Sequence, residues 1–153
     1  MTDLDAMQAT LAEARSAAEA GEVPIGAVVM HGEKIIARGQ NRVLRDNDPT
    51  AHAEIVALRE AARTIGNYRL NGCSVFVTLE PCAMCAGAMI HARIDRLVFA
   101  ASDPKAGACG SVLSVLNHPQ LNHKMAVEQG ILADEAGEQL RNFFRERRGT
   151  PLP

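Results

Sequence analysis

Aromatic side chains are scarce in this sequence: no tryptophan, one tyrosine and four phenylalanines, 3% of the chain. That scarcity argues against a broad stacking platform for single-stranded nucleic acid. Lysine is also rare beside arginine, and the net charge of −2 gives no general electrostatic reason to bind a polyanion. No apolar run approaches the roughly 20 residues that span a bilayer, so no membrane partner is expected. The acidic start M-T-D-L-D-A-M-Q lacks the basic segment and apolar stretch of a signal peptide. A cytoplasmic location follows as the expectation. Thiols stay reduced there, so with only four cysteines a C-x-x-C pair points to metal binding or catalysis before a disulfide.

What the chain does have is 47% hydrophobic and 22% charged residues over 153 positions, enough for one well-buried core and one domain over 1–153. Apolar residues at Leu4, Met7, Leu11, Ala14 and Ala18 form a helical stripe over 3–20, with Gly21 placed to end it. I-G-A-V-V-M and K-I-I-A-R-G, joined by H-G-E, read as a hairpin. A turn-rich loop closes at Asp48-Pro49-Thr50, where Thr50 is placed to cap a helix that Gly66 ends. C-S-V-F-V-T-L is a strand too continuously apolar to be half-exposed. Pro81 is expected to open a helix from 82 to about 91. I-D-R-L-V-F-A-A and a weaker K-M-A-V-E-Q supply two more strands, and 133–147 a closing helix with Leu140, Phe143 and Phe144 on its buried side. Strands alternating with helices predict a mixed sheet with helices on both faces, an α/β protein.

The chemistry concentrates in two short segments. Cys82 and Cys85 are expected in the first turn of one helix, on one face, where exposed N–H groups favour thiolates. His52, in A-H-A-E, is expected in the first turn of another. One imidazole and two thiolates make a ligand set that zinc favours, and three protein ligands are the number in a catalytic site with an open position. Cys73, at a strand start, Cys109, in a Gly-rich loop, and His91, around the helix, are poor fourth ligands. Glu54, two residues after His52, is placed to move protons for a zinc-activated water without binding the metal. P-C-x-x-C is far rarer by chance than H-x-E, and their order sharpens the case. A redox dithiol and a pair of inert buried thiols are the competing readings of C-A-M-C.

H-x-E followed by P-C-x-x-C is the known signature of zinc nucleobase deaminases, and His52-Ala53-Glu54 and 81–85 resemble its two motifs. Further blocks resemble the bacterial tRNA-specific adenosine deaminases. These are V-P-I-G-A-V, Asn41, T-L-E-P-C-A-M-C-A-G-A-M, D-P-K-A-G-A-C-G-S, N-H-P-Q-L-N-H, G-I-L-A-D-E and F-F-R-E-R-R. The resemblance implies a cytidine-deaminase-like, three-layer α/β/α sandwich around a mixed five-stranded sheet. It implies a homodimer with one Zn²⁺ per subunit, near the subunit contact. It also implies a substrate, the wobble adenosine of a tRNA anticodon stem-loop, typically of an arginine tRNA, converted to inosine. By position, Asn41 would contact the target nucleoside, and Pro24, Ile25, Gly26 and Ala27 would line the base pocket. Asp103, Lys105 and Ala106 would border the entering anticodon. Phe144, Arg145 and the neighbouring arginines would meet flanking nucleotides or phosphate. A free-base guanine or cytosine deaminase, and an inactive zinc-stabilised RNA-binding partner, are the alternatives.

Overall fold

The computed structural model describes residues 1–148. The elements run α1 (Asp3–Glu19), β1 (Gly26–His31), β2 (Lys34–Gln40), α2 (Ala53–Ile65), β3 (Cys73–Leu79), α3 (Ala83–Ala92), β4 (Arg96–Ala101), β5 (Ala126–Gln129) and α4 (Ala133–Arg148). The sheet order is β2-β1-β3-β4-β5. β1 is antiparallel to both β2 and β3, whereas β3, β4 and β5 are mutually parallel. The expected mixed five-stranded sheet is present.

Period-two alternation divides the strand side chains between two cores. Val29, Val75, Val77, Leu97 and Phe99 face α2 and α3. Val28, Met30, Phe76, Val98 and Ala100 face α1 and α4. β3 and β4 feed both clusters because they are covered on both faces, which explains their unbroken apolar runs. Each fully buried Val or Phe removed from water contributes about 1.5–3 kcal/mol. Three layers follow directly from this two-sided burial.

Two glycines permit backbone-close contact between layers. A β-carbon at Gly39 would stand 2.6 Å from Ala57 N, so the first turns of α2 lie directly on β2. At Gly26 it would stand 2.6 Å from Ala14 N, which seats α1 on β1. α1 begins with a reciprocal capping box between Thr2 and Asp5, and α2 ends on Gly66 in the left-handed conformation, as expected.

Several local expectations change. Thr50 does not cap α2. Its hydroxyl donates to Asp48 Oδ1 at 2.7 Å, and the N-cap is His52 itself. Likewise, Pro81 stands outside α3 and Cys82 is the N-cap, so His52 and Cys82 precede their helices rather than lying in the first turn. Phe144 is 47% exposed, and Ala136 is the fully buried residue of α4. Gly137 and the polar face of α4 leave a narrow contact stripe, which Leu140 and the half-buried Phe143 complete. No helix among the described residues is long and apolar enough to cross a membrane.

Candidate active site

Strand direction gathers the candidate residues at one end of the sheet. β3 and β4 finish there, at Leu79 and Ala101, and Glu80 and Ser102 follow them. Antiparallel β1 begins there, with Gly26 N–H donating to Thr78 Oγ1 at 3.2 Å. β2 ends there at Gln40, and the next residue, Asn41, donates its N–H to Ile25 O at 3.1 Å. Ligand sites of open α/β sheets form at the carboxyl ends of strands where connectivity changes sense, and here that point lies between β1 and β3.

At this edge α2 and α3 present their N-termini side by side. His52 and Cys82 are the two N-caps, both extended, and neither uses its side chain to cap its helix. Both side chains are thereby free to point at each other. His52 Nδ1 lies 3.6 Å from Cys82 Sγ and 3.5 Å from Cys85 Sγ. The three candidate ligand atoms all fall within 4.8 Å of one another. That spacing suits one small ion among them, because Zn–S and Zn–N bonds run about 2.3 and 2.0 Å.

Electrostatics point the same way. The Cys82 thiol is brought down to about 3 by hydrogen bonding from Cys85 and from His52. The His52 imidazole is pushed up, chiefly by that bond to Cys82. Cys85 is pushed well above the usual thiol range by its bond to Cys82 and by burial. Protein groups alone therefore support one thiolate, not two. A divalent cation would ionise the second, so the donor set fits a soft-ligand metal such as zinc.

Glu54 lies within the first turn of α2 and is 4% exposed. Burial raises its carboxyl to about 7, against the opposing pull of its own backbone N–H and of His52. A buried carboxyl beside the cluster, half-protonated near neutrality, can accept and return a proton.

The remaining candidates are spread over several segments of the fold. Pro24 and Ala27 are buried and Ile25 half-buried, while Gly26 is covered by α1 and offers backbone alone. Asn41 is 6% exposed, with Oδ1 accepting from Val43 N–H. Asp103 Oδ1 accepts from the N–H groups of Lys105 and Ala106, a tight turn that leaves both residues exposed. Phe144 and Arg145 lie on α4, which packs on the sheet face opposite α2 and α3. The end of α4 still returns to this edge: Arg147 stacks 4.8 Å over Phe143 and donates to Gly21 O. Arg147 is thus held by the fold, while Arg141 and Arg148 are exposed and Arg145 bonds Asn142.

Two buried carboxylates at this edge carried no expectation of their own. Glu22 accepts from Leu44 N–H, Arg45 N–H and Arg45 Nε at 3.0–3.1 Å. Glu80 accepts from the loop 103–111. The sequence signal available was an acidic residue at a buried strand exit, immediately before Pro81-Cys82.

A sandwich with paired helix N-termini presenting His, Cys and Cys beside a buried glutamate defines a nucleobase-deaminase type of enzyme. The profile of the MafB19-like deaminases matches residues 1–148. A tRNA-specific adenosine deaminase of Haemophilus influenzae is 48% identical over 143 residues, 93% of this chain and 83% of that protein. A structure from work on A-to-I editing by tRNA:A34 deaminases superposes with a TM-score of 0.86 at 46% identity, covering 89% of this chain and 99% of the other. A guanine deaminase of Nitrosomonas europaea superposes at 0.79 with 28% identity, covering 93% and 84%. The chain belongs to the tRNA-specific adenosine deaminase family, and it is a deaminase of cytidine-deaminase-like fold.

Proposed function

We propose that this enzyme converts the wobble adenosine of a tRNA anticodon, that of an arginine tRNA, to inosine, as a cytoplasmic homodimer with one Zn²⁺ per subunit. The observation that carries the reading is the meeting of His52, Cys82 and Cys85 beside buried Glu54, in a chain 48% identical to a tRNA-specific adenosine deaminase. His52 Nδ1 and the two sulfurs would hold the zinc, which supplies the Lewis acidity that ionises water near neutral pH. Glu54 takes the proton of the attacking water and gives it to N1 of adenine. It then carries the second proton to the exocyclic amino group, which leaves as ammonia while C6 keeps the oxygen. Burial of Glu54, 4% exposed, keeps bulk water from competing for that proton.

Asn41 would hold the nucleoside, and 24–27 the base. Asp103, Lys105 and Ala106 would meet the neighbouring anticodon nucleotides. Bases of an anticodon loop are already splayed, so drawing one into a pocket costs less than from a duplex. Phe144, Arg145 and the exposed Arg141 and Arg148 would add a local contact with phosphate. An apolar cleft of about 330 Å³, floored by Leu58 and Leu70 and edged by Ile55, Ala88 and exposed Tyr68, supports pairing of two copies, because it lies along the helices that carry the site.

The test is direct. Metal-replete protein is incubated with a stem-loop bearing A at the wobble position, and separately with free guanine, cytosine and adenosine. Inosine in the stem-loop alone is expected. Ammonia from a free base, with the RNA untouched, would replace this reading by base salvage.

A further inference from the structure

Glu80 is 3% exposed and lies two residues before Cys82. Its side chain turns to a single loop, 103–111. Oε1 accepts from Asp103 N–H at 3.1 Å and from the Ser111 hydroxyl. Oε2 accepts from the N–H groups of Cys109 at 3.0 Å and Ser111 at 3.1 Å. The loop is also fastened to the next residue, where Ala108 N–H donates to Pro81 O at 2.9 Å. Gly107 closes over the carboxyl group: a β-carbon there would meet Glu80 and stand 2.6 Å from Asp103 O.

Four donors from one loop converge on one carboxylate, and the next two residues of its own chain lead to Cys82. We propose that Glu80 is a positioning residue that fixes the loop 103–111 relative to the Cys82 turn, and so sets how substrate RNA is held over the site. This rests on the reading above in which Asp103, Lys105 and Ala106 meet the anticodon. Without the carboxylate, three N–H groups of the loop face a buried gap, and the loop must open to water to satisfy them. Opening would shift Asp103 and the turn it makes with Lys105 and Ala106. The metal ligands and Glu54 belong to other bonds and would stay in place. A loop that meets flanking nucleotides and not the reacting atoms governs binding more than chemistry.

Glu80→Gln keeps the volume but turns an NH₂ group toward one pair of donors. Gly107→Ala keeps Glu80 and displaces the loop from the other side. Each variant is assayed for zinc per chain, hydrogen exchange at the amides of 103, 109 and 111, and kcat and KM on the wobble-A stem-loop. We expect zinc unchanged, faster exchange at those amides, and KM raised about tenfold with kcat within about threefold, the size of a lost charged hydrogen bond. Slow exchange in Glu80→Gln overturns the tie between Glu80 and the loop. Fast exchange with unchanged KM, or a fall in kcat alone, overturns the role in holding RNA. Gly107→Ala with wild-type KM overturns it as well. Wild-type protein that leaves the stem-loop unedited brings down the substrate reading and the binding half of this proposal, while the exchange rates decide the loop contact separately.

Discussion

Glu54 and Glu80 are both nearly inaccessible to solvent, at 4% and 3% exposure, and both stand two residues from a candidate zinc ligand. Their surroundings drive them to opposite charge states. Burial raises Glu54 to about 7, with few donors to oppose it. At Glu80 burial pulls upward too, yet the Ser111 hydroxyl and the N–H groups of Asp103, Cys109 and Ser111 together hold the carboxyl below its usual range. Burial alone does not fix a carboxylate's charge; the number of donors aimed at it does. One glutamate is left able to exchange a proton, and the other is tied down as a structural anion. Glu22 belongs with Glu80, since Leu44 and Arg45 hold it low against its own burial.

That contrast can be broken at graded cost. Removing the metal donors should have the largest effect: His52→Ala, Cys82→Ser and Cys85→Ser are each expected to lose zinc by elemental analysis and turnover with it, because two remaining ligands bind far more weakly than three. Retention of stoichiometric zinc in any of them would remove that residue from the site.

Glu22→Ala comes next. It leaves three donors facing a void and should cost about 3 kcal/mol in urea unfolding, with zinc ligation intact. The pH dependence has a definite sign. A carboxyl lowered in the folded state contributes stability in full above its unfolded pKa, near 4.5. That contribution is lost as pH falls through the lowered folded value. The wild type should therefore lose stability below about pH 4.5 more steeply than Glu22→Gln. Parallel curves would show that Glu22 carries no charge-dependent stability.

Gly39→Ala probes how the first turns of α2, and hence His52 and Glu54, are seated. A β-carbon 2.6 Å from Ala57 N must push the helix outward, an overpacking cost of about 1–3 kcal/mol with weakened zinc affinity by competition with a chelator. Thr50→Ala should do least, under about 1 kcal/mol, because its hydroxyl serves a local turn with Asp48 rather than the helix end. A loss as large as that of Gly39→Ala would restore Thr50 as the cap.

Much of this was legible beforehand. Apolar runs located all five strands, and Gly66 marked a helix end correctly. The His, Cys and Cys group was legible because ligand chemistry needs few residue types at short spacings. The starts of α2 and α3 were misplaced by one or two residues: in T-A-H-A-E both Thr50 and His52 are possible caps, and only the contact with Asp48 decides between them. Phe144 was misjudged because a paired aromatic at a helix end reads as core, yet Phe143 alone turns inward and the two rings meet edge to face at 5.5 Å. Glu22 and Glu80 were missed since their donors lie 22 to 31 residues away and are mostly backbone amides, which leave no mark in residue type.

The most direct test concerns Glu54. Purified Glu54→Gln would be measured for zinc per chain and for single-turnover conversion of the wobble-A stem-loop to inosine. We expect one zinc per chain, as in the wild type, and conversion slowed at least about 10³-fold, the scale of a lost general acid–base. Conversion near the wild-type rate, or loss of the zinc with the carboxylate, would contradict Glu54 as the proton carrier beside a three-ligand metal.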